Sequence, residues 1–208
     1  MTAGRRPSLT ERRATQLRLE VARTAMRMFA EAGDTTATVE QIAAEAGISA
    51  RTFHRHFPAK EDVIRPLFRY SAELTVAALR TTQADADPID AIADALLAQP
   101  REQGLVPSDV LFMTLVVETP EFRLRWLEAD DDVCGAITDF LAGRVELGPD
   151  PRLRGLPAQL VSAAARYVTE LWVRGDPADI AQLEELMRTA LREALAGVLD
   201  TGARAALG

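Results

Sequence analysis

Cysteine is nearly absent from this 208-residue sequence, and Cys134 alone can form neither an internal disulfide nor a cysteine metal cluster. A buried packing thiol is the role it most simply fills. Histidine is almost as scarce: His54 and His56 stand together, so Cys134 has no histidine elsewhere to serve as a base. There is also no phosphate-cradling glycine loop, zinc-spacing motif or nucleophile elbow. No enzyme, cofactor or metal site is therefore expected. Long apolar runs are missing too. The longest in the middle of the chain, Val110 to Val117 with Thr114 inside it, is far short of the roughly 20 residues that span a bilayer. No apolar segment follows the N-terminal arginines, so no signal peptide is read and a cytoplasmic protein without a membrane partner is expected. Internal repeats and low-complexity tracts are absent as well.

The chain does have charge asymmetry. Residues 1–69 hold 12 Arg and Lys against 8 Asp and Glu, a net of +4, while the remaining residues hold 12 against 23, a net of −11. A basic head on an acidic body points to a localised contact with a polyanion, although the whole chain is acidic. Arg5, Arg6, Arg12 and Arg13 read either as a basic arm reaching a DNA backbone or minor groove, or as a charged tail.

Within the head, residues 38–57 read as two short helices meeting at Gly47. Thr38 and Gln41 have the capping-box spacing, which starts a helix at Val39. Gly47 ends it without the steric cost other residues meet in the left-handed region, and Ser49 caps a second helix through His56. Ile42, Ala43, Ala46, Ile48, Phe53 and Phe57 are placed to bury the seam of the pair. The outward side then carries Ala50, Arg51, Thr52, His54 and Arg55, suited to phosphates and major-groove base edges. An ordinary helical hairpin with a solvated face is the competing reading. Upstream, Leu17, Val21, Ala25, Met28 and Phe29 mark one face of a helix over 10–32 that ends at Gly33. Lys60 lies in the first turn of the next helix, unfavourably for the helix dipole, and a phosphate contact accounts for it better.

The run Phe-Ala-Glu-Ala-Gly, followed by Thr38 through Asp62, closely resembles the DNA-binding domain of the tetracycline-repressor (TetR) family over about the first 65 residues. That resemblance implies an all-α fold: an N-terminal three-helix helix-turn-helix DNA-binding domain, residues 1–58, joined to a larger helical ligand-binding and dimerisation domain, residues 59–208. Helix 4, about 59–82, connects the two. It implies a dimeric, cytoplasmic regulator, most simply a repressor, that binds a double-stranded DNA operator and is released by a small-molecule effector. Carried onto matching positions, it makes Thr38, Thr52, His54 and Lys60 phosphate contacts and Ser49, Ala50, Arg51 and Arg55 groove readers. His54 departs from the tyrosine more common in the family. The alternative function is a helical dimeric ligand- or protein-binding module that no longer reads DNA; Arg51, Arg55 and Lys60 together argue against it.

Beyond Lys60, prolines and capping residues divide the body into helices near 88–99, 107–118, 120–146, 156–174 and 177–200. Pro66, read as interior to helix 4, predicts a kink at Asp62 to Pro66, either a pivot or a fixed bend. The two C-terminal helices carry wide apolar stripes, which a second copy of the chain would cover as a four-helix bundle; a hairpin buried within one chain is the competing reading. Met113, Trp126 and Trp172 are the candidate ligand-lining residues, as large or adaptable side chains among the middle and C-terminal helices. Glu128, Asp130, Asp131 and Asp132 read as a solvated face before a cation site.

Overall fold

A computed structural model describes residues 8–104, 106–147, 150–175 and 180–205. Among them lie ten α-helices, two short 3-10 turns and no strand. The all-α expectation holds. The first helix, α1 (Leu9–Ala32), starts at Ser8, whose hydroxyl accepts from the Glu11 N–H at 3.2 Å while the Glu11 carboxylate accepts from the Ser8 N–H at 2.6 Å. Arg12 and Arg13 are thus exposed on the first turns of a helix, while Arg5 and Arg6 lie outside the described residues. At the other end Gly33, at φ 71°, closes α1 in the left-handed region.

The helices α2 (Val39–Glu45) and α3 (Ala50–His56) follow. The expected continuous fourth helix is instead two pieces, a 3-10 turn over Lys60–Ile64 and then α4 (Arg65–Thr81). Pro66 therefore sits in the first turn of α4 rather than its interior. There a missing N–H costs nothing, because first-turn amides have no intrahelical acceptor. The body continues with α5 (Pro88–Leu96), α6 (Ala98–Gln103), α7 (Pro107–Glu118), α8 (Pro120–Ala142), α9 (Leu156–Arg174) and α10 (Ile180–Ala205). The segment near 88–99 breaks at Leu97, and the helix from Pro120 stops short of the expected 146.

Two apolar cores form. The first joins Val21, Ala25 and Phe29 of α1, Ile42 and Ala43 of α2 and Phe53 of α3 to Phe68 of α4, Phe112 and Val116 of α7 and Phe122 of α8. Phe29 meets Phe122 with ring centroids 5.5 Å apart, so the head rests directly on the body. The second core lies within the body and includes Ile92, Ile137, Leu141, Val161, Val168, Trp172, Leu191 and Leu195. Met113 is half-buried and touches both. Around the second core, Arg188 of α10 reaches Asp90 at 3.2 Å and Asp94 at 2.7 Å, and Arg101 reaches Glu184 at 2.7 Å. Such partly exposed pairs contribute little each, yet they orient α10 against α5 and α6.

The last two helices bury their stripes unequally. In α10, Leu183, Met187, Leu191 and Leu195 face inward. In α9, Leu156, Leu160, Tyr167 and Leu171 are 49, 40, 66 and 48% exposed. Their spacing of four, seven and four residues places them on one helix face.

Candidate nucleic-acid interface

The recognition unit is built on local hydrogen bonds. Thr38 caps α2: its hydroxyl accepts from the Gln41 N–H at 3.3 Å, and the Gln41 side-chain oxygen accepts from the Thr38 N–H at 2.8 Å. Gly47, at φ 69°, turns the chain, and the Ile48 N–H donates to the Ala43 carbonyl at 2.9 Å. Ser49 then caps α3, accepting from the Thr52 N–H at 3.1 Å, with the two hydroxyls 3.0 Å apart. Beneath them Phe53 and Phe57 are buried with centroids 4.9 Å apart. Burial of that face leaves Arg51, His54 and Arg55 exposed, with Ser49 exposed and Ala50 and Thr52 half-buried at the helix start.

Thr38, Ser49, Ala50, Arg51, Thr52, His54 and Arg55 thus belong to one capped helix pair. Lys60 is placed differently. Its Nζ donates to the Thr35 carbonyl at 2.8 Å, so this ammonium is engaged in holding the loop that precedes α2. In the same loop the Asp34 carboxylate accepts from the Thr36 hydroxyl at 2.7 Å and its N–H at 2.8 Å. Those bonds, the hydroxyl first, and the Lys60 charge hold the Asp34 carboxyl below its usual range. The loop is polar but tethered. His56, unlike His54, turns toward the interior; burial first, then Arg18 and Arg55, lowers its affinity for a proton, and its Nδ1 has no hydrogen-bond partner.

The three candidate ligand residues do not converge. Trp126 stacks on Phe68 of the first core at 6.5 Å, Trp172 is 4% exposed in the second core, and Met113 lies between. The Trp172 indole N–H is buried without a hydrogen-bond partner. Sequence reading missed the junction below the head, where an open cleft of about 560 Å³ is lined by Leu19, Phe57, Pro66, Arg69, Arg125 and Glu128, among others. Its walls come from three stretches far apart in sequence, around 15–19, 56–73 and 125–132, which no local pattern marks.

Glu128 and Asp130, read as part of a solvated acidic face, are both in ion pairs. Glu128 pairs with Arg65 and Arg125, and Asp130 with Arg166 at 2.7 Å. Burial pushes the Asp130 carboxyl up to about 6, against the pull of Arg166. Cys134 is buried in the same α8–α9 seam, its sulfur 3.1 Å from the Ser162 hydroxyl, and burial raises its pKa. No group of three or more candidate metal ligands occurs among the described residues. No helix among them is long and apolar enough to cross a membrane.

Residues 22–67 match the family model of the bacterial regulatory proteins, tetR family. Over 194 residues, 89% of this chain and 85% of the relative, the sequence is 30% identical to the HTH-type transcriptional regulator TcmR of Streptomyces glaucescens. It is 24% identical over 189 residues to the HTH-type transcriptional repressor AcnR of Corynebacterium diphtheriae, covering 89% of this chain and 97% of that one. In structure it is similar to Thermus thermophilus FadR, a TetR-family repressor solved with lauroyl-CoA: TM-score 0.59, 19% identity, covering 86% and 93% of the two chains. These relatives are regulators and not enzymes. With the capped α2–α3 pair, its exposed arginines and the all-helical body, this chain belongs to the TetR family of DNA-binding transcriptional regulators.

Proposed function

We propose that the protein is a ligand-responsive regulator, most simply a repressor, that binds a near-palindromic operator as a homodimer and is released by a small, largely apolar molecule. The observation that carries this reading is the outward face of α3, where Arg51, His54 and Arg55 stand exposed on a helix anchored from below by Phe53 and Phe57. Arg51 and Arg55, one turn apart, suit the major groove, with Ser49 and Ala50 at its floor. Thr38, Thr52 and His54 supply phosphate contacts. Lys60 keeps two N–H groups for a phosphate beside the one given to Thr35.

The exposed stripe of α9 is the face a second copy would cover, with the half-buried Leu186 and Ala190 of α10 beside it. Two heads on such a dimer reach successive major grooves when they stand about 34–36 Å apart, and a ligand that alters the spacing weakens binding without touching DNA. For the ligand, the unpartnered indole N–H of Trp172 is a donor that an apolar molecule with one oxygen acceptor would satisfy. FadR, held with lauroyl-CoA, is a neighbour of this architecture with an amphipathic guest. Met113, which packs against both cores, extends the proposed lining from Trp172 toward the first core, where Trp126 lies on the far side. The site of action is the cytoplasm.

Footprinting on DNA flanking the gene, over a range of salt, tests the reading. Protection of an inverted repeat, with affinity falling steeply as salt rises, is the expected outcome. Binding that is salt-insensitive or blind to sequence refutes it.

A further inference from the structure

Below the head, four charged side chains from three elements close a ring. Asp62, in the 3-10 turn, is 8% exposed; its Oδ2 accepts from the Ala59 N–H at 3.0 Å, which fixes the carboxylate relative to the end of the recognition segment. Its Oδ1 accepts from Arg125 Nε of α8 at 2.8 Å and faces Arg65 Nε of α4 at 3.1 Å. Both arginines continue to Glu128 of α8, Arg65 at 2.8 Å and Arg125 at 3.3 Å. The ring lines the junction cleft.

We propose that Arg125, with Asp62, is the positioning residue that sets the angle of the DNA-reading head on the body. The proposal rests on the reading of the chain as an operator-binding dimer. Apolar contacts such as Phe29 on Phe122 hold the head to the body mainly through buried area and are only weakly directional; a guanidinium shared between two carboxylates has a more sharply defined direction. Asp62 is the appropriate anchor because it is tied to Ala59, two residues after Phe57, the buried end of α3. On the body side, α8 carries Arg125 and Glu128 in the ring, Phe122 in the first core and Ile137 and Leu141 in the second. A shift of α8 that follows a change in the body core therefore moves Arg125, and the head with it. Removing the ring loosens the spacing between the two heads of a dimer while leaving base recognition by α3 intact.

The test selects duplexes from a random-sequence pool with the full-length protein and with Arg125→Gln, Arg125→Lys and Glu128→Gln. The wild type is expected to enrich one half-site sequence at one spacing. Arg125→Gln enriches the same half-site over several spacings, with about tenfold weaker binding to the wild-type operator. Arg125→Lys restores part of the selectivity. Glu128, exposed at the rim, gives a milder variant should the glutamine at 125 fail to fold. Amide exchange without DNA provides a second readout: the Ala59 N–H is expected to exchange about tenfold faster in Arg125→Gln, with the amides of α10 unchanged. Unaltered spacing in Arg125→Gln, or unaltered exchange at Ala59, overturns the proposal. A wild type that enriches no sequence would instead remove the operator reading, leaving the exchange at Ala59 to decide whether the ring positions the head.

Discussion

Individual side chains divide into those held by neighbours and those left for a partner. Asp130 is held, but at a cost. Its carboxyl, raised from 3.8 to about 6 by burial, contributes stability that is complete below the unfolded value and is lost as pH rises through about 6. Asp130→Asn is expected to remove that dependence, so the difference in Tm between mutant and wild type should shift in the mutant's favour from pH 4 to pH 7. The linkage is worth up to about 3 kcal/mol. His56 runs the other way: its lowered pKa means stability is lost as pH falls below about 6.5, where the unfolded chain takes up the proton first. Arg55, by contrast, makes no ion pair among the described residues. Arg55→Ala is expected to weaken operator binding about tenfold, read by fluorescence anisotropy, with Tm unchanged. Which arginines were exposed followed from periodicity, whereas the engagement of Lys60 with Thr35, 25 residues away, did not. Side-chain reach across a loop leaves no local pattern.

At the level of elements, the turn at Gly47 and the face of α9 are the two places where one change has a defined result. Gly47 holds φ 69° with open space around the position a Cβ would take, so Gly47→Ala suffers from backbone conformation and not from collision. A loss of about 1–2 kcal/mol in thermal or denaturant unfolding is expected. On α9, Tyr167 is 66% exposed at the centre of the apolar stripe. Tyr167→Glu should leave the monomer's core untouched yet abolish dimerisation in sedimentation, and operator affinity with it. An unchanged dimer would place the subunit contact elsewhere. Helix starts at Thr38, Ser49, Asp87 and Pro107 were legible because capping chemistry is local. The resolution of helix 4 into a 3-10 turn and α4 was not, since the position of Pro66 within a helix depends on where that helix begins.

Across the whole molecule, head and body share a core. Phe112, Val116 and Phe122 are 3, 0 and 0% exposed and complete the packing around Phe29. A fragment ending near residue 58 would lose them together with Val63, Ile64 and Phe68, and is expected to lack a cooperative unfolding transition in circular dichroism. Phe122→Ala in the full chain should cost about 3–5 kcal/mol and destabilise the head along with the body. The sequence alone determined the all-helical class, the capped α2–α3 pair and the polar outward face of α3, because hydrophobic period and caps act over a few residues. Only the tertiary structure decided that the head's core borrows from α7 and α8, that Trp126 and Trp172 lie in different cores, and that Asp62, Arg65, Arg125 and Glu128 meet. These depend on how helices cross, and packing of side chains separated by 60 residues or more has no signature in the local order of the chain.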